Sequence, residues 1–68
     1  MNVIVNGKAT DVPDDSTVAD AITVSGHRGG TFGVAVALNG EVVPRAAWAS
    51  TKLTRGDRVE VLVAAQGG

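Results

Sequence analysis

The 68-residue chain ends in Gln66-Gly67-Gly68, and the terminal carboxylate is the group whose setting most suggests chemistry. Glycine has no Cβ, so an extended Gly-Gly backbone can pass through a narrow channel and bend freely inside it. A carboxylate presented in this way can reach another protein's active site and be activated there by ATP, while the folded body stays outside and supplies recognition. Gly68 is then the reacting residue, and Gly67 and Gln66 are the threading residues. Simple fraying of a chain end is the competing reading of two terminal glycines. The position of the pair, directly after a strand at the end of a small folded body, favours the first.

Other chemistry is scarce. The chain has no cysteine, so it has no disulfide framework, thiolate metal site, cysteine nucleophile or iron–sulfur cluster. His27 is the single histidine, and no nucleophile or orienting carboxylate for it is identifiable. Gly26-His27-Arg28-Gly29-Gly30-Thr31 lacks the lysine and spacing of a phosphate loop and follows a helix instead of opening one, so it reads as a solvated connector. Asp14-Asp15 reads as charge at a helix N-terminus rather than a metal pair. Trp48 could anchor a partner. Core packing against Val43, Leu53 and the helix is the favoured reading, because so small a core needs large side chains. No metal and no bound cofactor are expected. Nor is a substrate pocket of the usual ~300 Å³ or more, and the chain does not read as an enzyme.

Composition narrows the partners. A formal net charge of −1 gives no basic footprint for nucleic acid or an anionic membrane. Hydrophobic residues make up 44% and charged residues 19%, as in a globular chain. No apolar run approaches the roughly 18 residues of a membrane helix, and Met1 to Asn6 lacks the features of a signal peptide. A cytoplasmic module, monomeric when free, is expected. A domain of this length buries only about 60% of its unfolded surface, which leaves little material for a deep cavity.

The elements that must position the tail follow from periodicity. Met1 to Asn6 alternates as a half-buried strand, and Asn6-Gly7 is a strong hairpin signal leading into a second strand, Lys8 to Val12, stopped by Pro13. Thr17 as N-cap with Asp20 three residues on forms a capping box. Val18, Ala21, Ile22 and Ser25 then share one helix face, and Gly26 ends the helix. A third strand runs from Phe32 or Gly33 to Leu38, Asn39-Gly40 turns it, and Glu41 to Val43 is a brief fourth strand closed by Pro44. Ala46 to Ser50 reads as one helical turn carrying Trp48. Arg55-Gly56-Asp57 is a turn, and Arg58 to Ala64 is the last strand, with Val59, Val61 and Val63 inward.

The first and last strands are richest in valine, as central strands are, and so should lie side by side and parallel. The fold class is therefore α+β: a β-grasp, ubiquitin-like arrangement with a mixed four- to five-stranded sheet packed on one short helix. Residues 1–64 form the domain and 65–68 a flexible C-terminal tail. With valines inward, Ile4, Ala35, Ala37 and Leu62 face outward and make an apolar docking patch near the base of the tail.

Met1-Asn2-Val3-Ile4-Val5-Asn6-Gly7, Asn39-Gly40-Glu41-Val42-Val43-Pro44-Arg45 with Trp48, Gly56-Asp57-Arg58-Val59-Glu60-Val61-Leu62 and the Gly-Gly end together resemble the ThiS family of thiamine-biosynthesis sulfur carriers. The resemblance implies a carrier whose Gly68 carboxylate is adenylated by an ATP-dependent, ubiquitin-activating-like (E1-like) adenylating enzyme. ATP is used by that partner and is not bound by the carrier. Conversion to a thiocarboxylate with sulfur from a cysteine persulfide, and delivery to thiazole synthase, are implied as well. The small sulfur-carrier subunit of molybdopterin synthase and a ubiquitin-like modifier or interaction module are the alternatives.

Overall fold

The computed structural model describes residues 1–26 and 33–63. The expectations placed on His27, Arg28 and Phe32, and on the tail from Ala64 to Gly68, lie outside the described residues.

Strand β1 (Asn2–Val5) folds back onto β2 (Lys8–Asp11) through a two-residue turn. Asn6 and Gly7 take φ of 50° and 80°, the two left-handed residues that a type I′ hairpin requires. Asn39 (φ 51°) and Gly40 (φ 89°) repeat this between β3 (Val34–Leu38) and β4 (Glu41–Val43). The final strand, β5 (Arg58–Val63), inserts between the two hairpins, giving the order β2-β1-β5-β3-β4. It runs parallel to β1 and antiparallel to β3, so the expected mixed sheet forms with five strands.

Helix α1 (Val18–Val24) starts at the expected capping box. The Asp20 N–H donates to the Thr17 hydroxyl at 3.4 Å, and the Thr17 N–H donates to the Asp20 carboxylate at 2.9 Å. The segment after β4 completes the cap: the N–H groups of Val18 and Ala19 donate to the carbonyls of Thr51 (2.9 Å) and Trp48 (3.1 Å). Three donors that a helix N-terminus leaves open are thereby satisfied. At only seven residues the helix depends on tertiary contacts. Its buried face of Val18, Ala21 and Ile22 lies over Val3, Val5, Val36, Val59 and Val61 of the sheet, with Val12, Val43, Trp48 and Leu53 completing the core.

Three details depart from expectation. The helical turn is a 3-10 turn over Arg45–Ala47, with Trp48 as its C-cap. Asp14 and Asp15 precede the helix, and Asp20 is the only acid in its first turn. Asp14 instead lies 3.1 Å from the Met1 amino group, and Asp15 lies 4.0 Å from Lys52 Nζ. Val63 has the inward parity of Val59 and Val61 but sits at the rim and is half exposed, and its partner across the ladder, Val34, is only partly covered. Thr17→Ala removes a cap that this short helix needs and should destabilise the fold by about 1 kcal/mol. Urea unfolding should show this as a lower midpoint at unchanged slope.

Candidate functional site

Strand β5 is the last described element before the chain end. Both hairpin asparagines hold it. Asn6 Oδ1 accepts from the Val61 N–H at 2.8 Å, extending the two-residue β1–β5 ladder beyond its last backbone pair. Asn39 Oδ1 accepts from the Arg58 N–H at 2.9 Å, and the Asn39 amide nitrogen donates to Asp57 Oδ1 at 3.1 Å. Asp57 also accepts from the Thr54 N–H (2.7 Å) and the Thr54 hydroxyl (3.0 Å), which closes the turn that starts β5. Partial burial pushes the Asp57 carboxyl upward, but the Thr54 N–H, the Asn39 amide and the Thr54 hydroxyl outweigh it and hold the group below the ordinary carboxylate value.

The face of the sheet away from α1 carries the proposed docking residues. Leu62 is 62% exposed and stands directly opposite Ala35, which is also exposed. Ala37, partly covered, pairs with Glu60 on one side and with Val42 on the other. Val42, 77% exposed, is thus a fourth apolar member that sequence reasoning did not name. Its signal was the strand parity of Glu41-Val42-Val43: with Val43 inward, Val42 must face out. Ile4 is on the same face but is level with Arg58, so Arg58 and Glu60 lie between it and Leu62 along β5. The apolar group is therefore Leu62, Ala35, Ala37 and Val42, and Ile4 borders the charged part of the face.

Trp48 is 6% exposed, its indole N–H donates to the Val43 carbonyl at 2.8 Å, and it belongs to the core. The Arg45 guanidinium lies over its ring at 5.6 Å from the centroid. Among the described residues no group of three or more potential ligands could hold a metal ion, and no helix is long and apolar enough to cross a membrane. Grooves of about 500, 340 and 530 Å³ do occur, more volume than composition suggested. They are open surface clefts, one of them between β2 and the end of α1.

A mixed five-stranded sheet grasping one short helix defines the class of ubiquitin-like, β-grasp domains. The ThiS family model matches residues 3–68. A crystal structure of thiamine biosynthesis protein ThiS from Geobacter metallireducens is similar at 36% identity and a TM-score of 0.79, covering 100% of both chains. A solution NMR structure of a thiamine biosynthesis protein from the same organism is similar at 36% identity and a TM-score of 0.78, covering 100% of this chain and 88% of that one. No curated protein matches. The chain belongs to the ThiS family, whose members are small sulfur carriers of thiamine biosynthesis and not enzymes. Membership implies partnership with the sulfur-transfer enzymes of that route.

The Asp57 cluster sets a pH test. Its native pKa lies below the unfolded value, so its contribution to stability is present above the unfolded value and is lost as pH falls through the native one. From about pH 5 down to about pH 2 the wild type should lose stability more steeply than Asp57→Asn. Urea midpoints across that range measure the difference, and parallel profiles would show that the cluster contributes nothing.

Proposed function

We propose that this chain carries sulfur as a thiocarboxylate on Gly68 for assembly of the thiamine thiazole. The observation that carries the reading is the family match, which runs through the Gly67-Gly68 end and not only through the folded body. In the proposed sequence a Gly68 carboxylate oxygen attacks the α-phosphorus of ATP in the adenylating partner, and pyrophosphate leaves. A persulfide sulfur from a cysteine-derived donor then displaces AMP from the acyl carbon, and a partner thiolate attacks the donor cysteine's sulfur, forming a disulfide with it and releasing the thiocarboxylate. That anion is ionised at neutral pH, and its soft sulfur is delivered to thiazole synthase. The carrier binds no cofactor of its own, because the ATP belongs to the partner.

The chain's own residues contribute presentation. The 1–64 body supplies recognition, and 65–68, with the threading residues Gln66 and Gly67, acts as the lead into the partner's channel, where Gly67 adds no side-chain bulk. Leu62, Ala35, Ala37 and Val42 supply an apolar docking face, and Ile4 its charged margin. Work as a free monomer in the cytoplasm fits this role, and neither nucleic acid nor membrane takes part.

Incubation with the adenylating enzyme, ATP and a sulfur donor should raise the intact mass by about 16 Da, one oxygen replaced by sulfur. The chain lacking Gly68 should not gain it, and sulfur on the shortened chain would overturn the assignment. A lysine-linked conjugate would instead identify a modifier. Leu62→Asp, exposed and so compatible with folding, should lower kcat/KM for adenylation by roughly tenfold or more. An unchanged value in a folded variant would remove Leu62 from the docking face.

A further inference from the structure

Two Asn-Gly pairs close the two hairpins in the same backbone conformation, yet the structure treats their side chains differently. Asn-Gly is the sequence most open to one intramolecular reaction, attack of the following backbone nitrogen on the asparagine Cγ, because glycine adds no side chain to hinder it. Both asparagines and both glycines are exposed to water. Among the described residues neither the Gly7 nor the Gly40 N–H donates a hydrogen bond, so the nucleophile is unencumbered in both turns. The electrophile is not. Asn39 is tied at both ends of its amide, Oδ1 to the Arg58 N–H at 2.9 Å and Nδ2 to the Asp57 carboxylate at 3.1 Å. Among the described residues Asn6 is tied at Oδ1 alone, to the Val61 N–H at 2.8 Å.

We propose that Asn6 is a spontaneous deamidation site of the folded protein and that Asn39, in an otherwise matching turn, is protected by its second tether. The Gly7 nitrogen forms a bond to Asn6 Cγ, and the Cγ–Nδ2 bond breaks. The side-chain nitrogen leaves as ammonia, taking with it the proton from the glycine amide. Water then opens the five-membered succinimide at either carbonyl, giving aspartate at position 6 or its isomer linked through the side chain. The net change is water consumed and ammonia released, with no oxidant or cofactor.

The products reinforce the difference. A carboxylate at position 6 still accepts from the Val61 N–H, so β5 keeps that bond. At position 39 it would replace the donor facing Asp57 with a second negative oxygen at the 3.1 Å contact. The isomerised product adds one backbone carbon to a two-residue turn, which shifts the β1–β2 register and moves the acceptor away from Val61.

The test is prolonged incubation of the intact folded protein at mildly alkaline pH, followed by proteolysis and mass spectrometry of the peptides containing residues 6 and 39. Each deamidation adds about 1 Da. Asn6 should react on the order of tenfold faster than Asn39, the factor expected from one additional charge-assisted hydrogen bond. In denaturant, where both tethers are gone, the two rates should converge. Equal rates in the folded protein, a faster Asn39, or an Asn6 that reacts only in denaturant would each overturn the proposal. Asp57→Ala should bring the Asn39 rate up to that of Asn6 while Asn6 itself keeps its wild-type rate. An unmoved Asn39 rate in that variant would also overturn it. If both rates rise together the variant has unfolded, and the wild-type ratio decides.

Discussion

The parallel contact between β1 and β5 joins opposite ends of the sequence, and a parallel pair cannot be closed by a tight turn. Somewhere between them the chain must leave the sheet, cross one face and rejoin it on the other side of β5. Helix α1 makes the crossing, and the β3–β4 hairpin then supplies the antiparallel neighbour on the far side of β5. The contact itself is short. The Ile4 N–H donates to the Asp57 carbonyl at 2.8 Å and the Asn6 N–H to the Val59 carbonyl at 2.9 Å, after which the Asn6 side chain continues where backbone pairing stops. Val59, at the centre of this arrangement, is wholly buried.

That constraint makes the two faces of the sheet unequal. One helix of seven residues covers only the inner face, and even there Val63 at the rim stays half exposed. The outer face has no covering element among the described residues and carries an apolar cluster at one end of β5 and the charges of Arg58 and Glu60 at the other. For a family of carriers this division is useful. The core holds β5 in place, and the outer face stays open. The Asn39–Asp57–Thr54 cluster and Asn6 brace the same strand from its two sides, so hairpin turns that could have been merely connective also hold β5 in place.

Local chemistry was legible where one residue type satisfies a backbone requirement almost alone. Asn-Gly meets the two positive φ values of a type I′ turn, Thr17 with Asp20 closes a capping box, and Gly26 takes φ 102° after the helix. Strand parity separated Val3, Val5, Val59 and Val61 from Leu62 and Ala35, and valine-rich first and last strands pointed to their parallel pairing. The family resemblance rested on spaced motifs along the whole chain, and the family match bears it out.

Parity, however, reports only the side of a sheet and not the position along it. The register of β5 against β1 and β3 therefore decided that Ile4 stands beside Arg58 and that Leu62 stands beside Ala35. Backbone carbonyl acceptors are the same in every residue, so no residue type announced that Trp48 and Thr51 would cap α1 from across the core. Asparagine side chains likewise look alike in sequence, and only the approach of Asp57 gives Asn39 a second tether, which Asn6 lacks among the described residues. Sequence by itself determined the elements, their inward faces and the family, because those depend on side-chain type and spacing within a few residues. Tertiary structure alone decided which distant backbone groups and side chains meet, because that depends on how strands slide against one another before the core locks them.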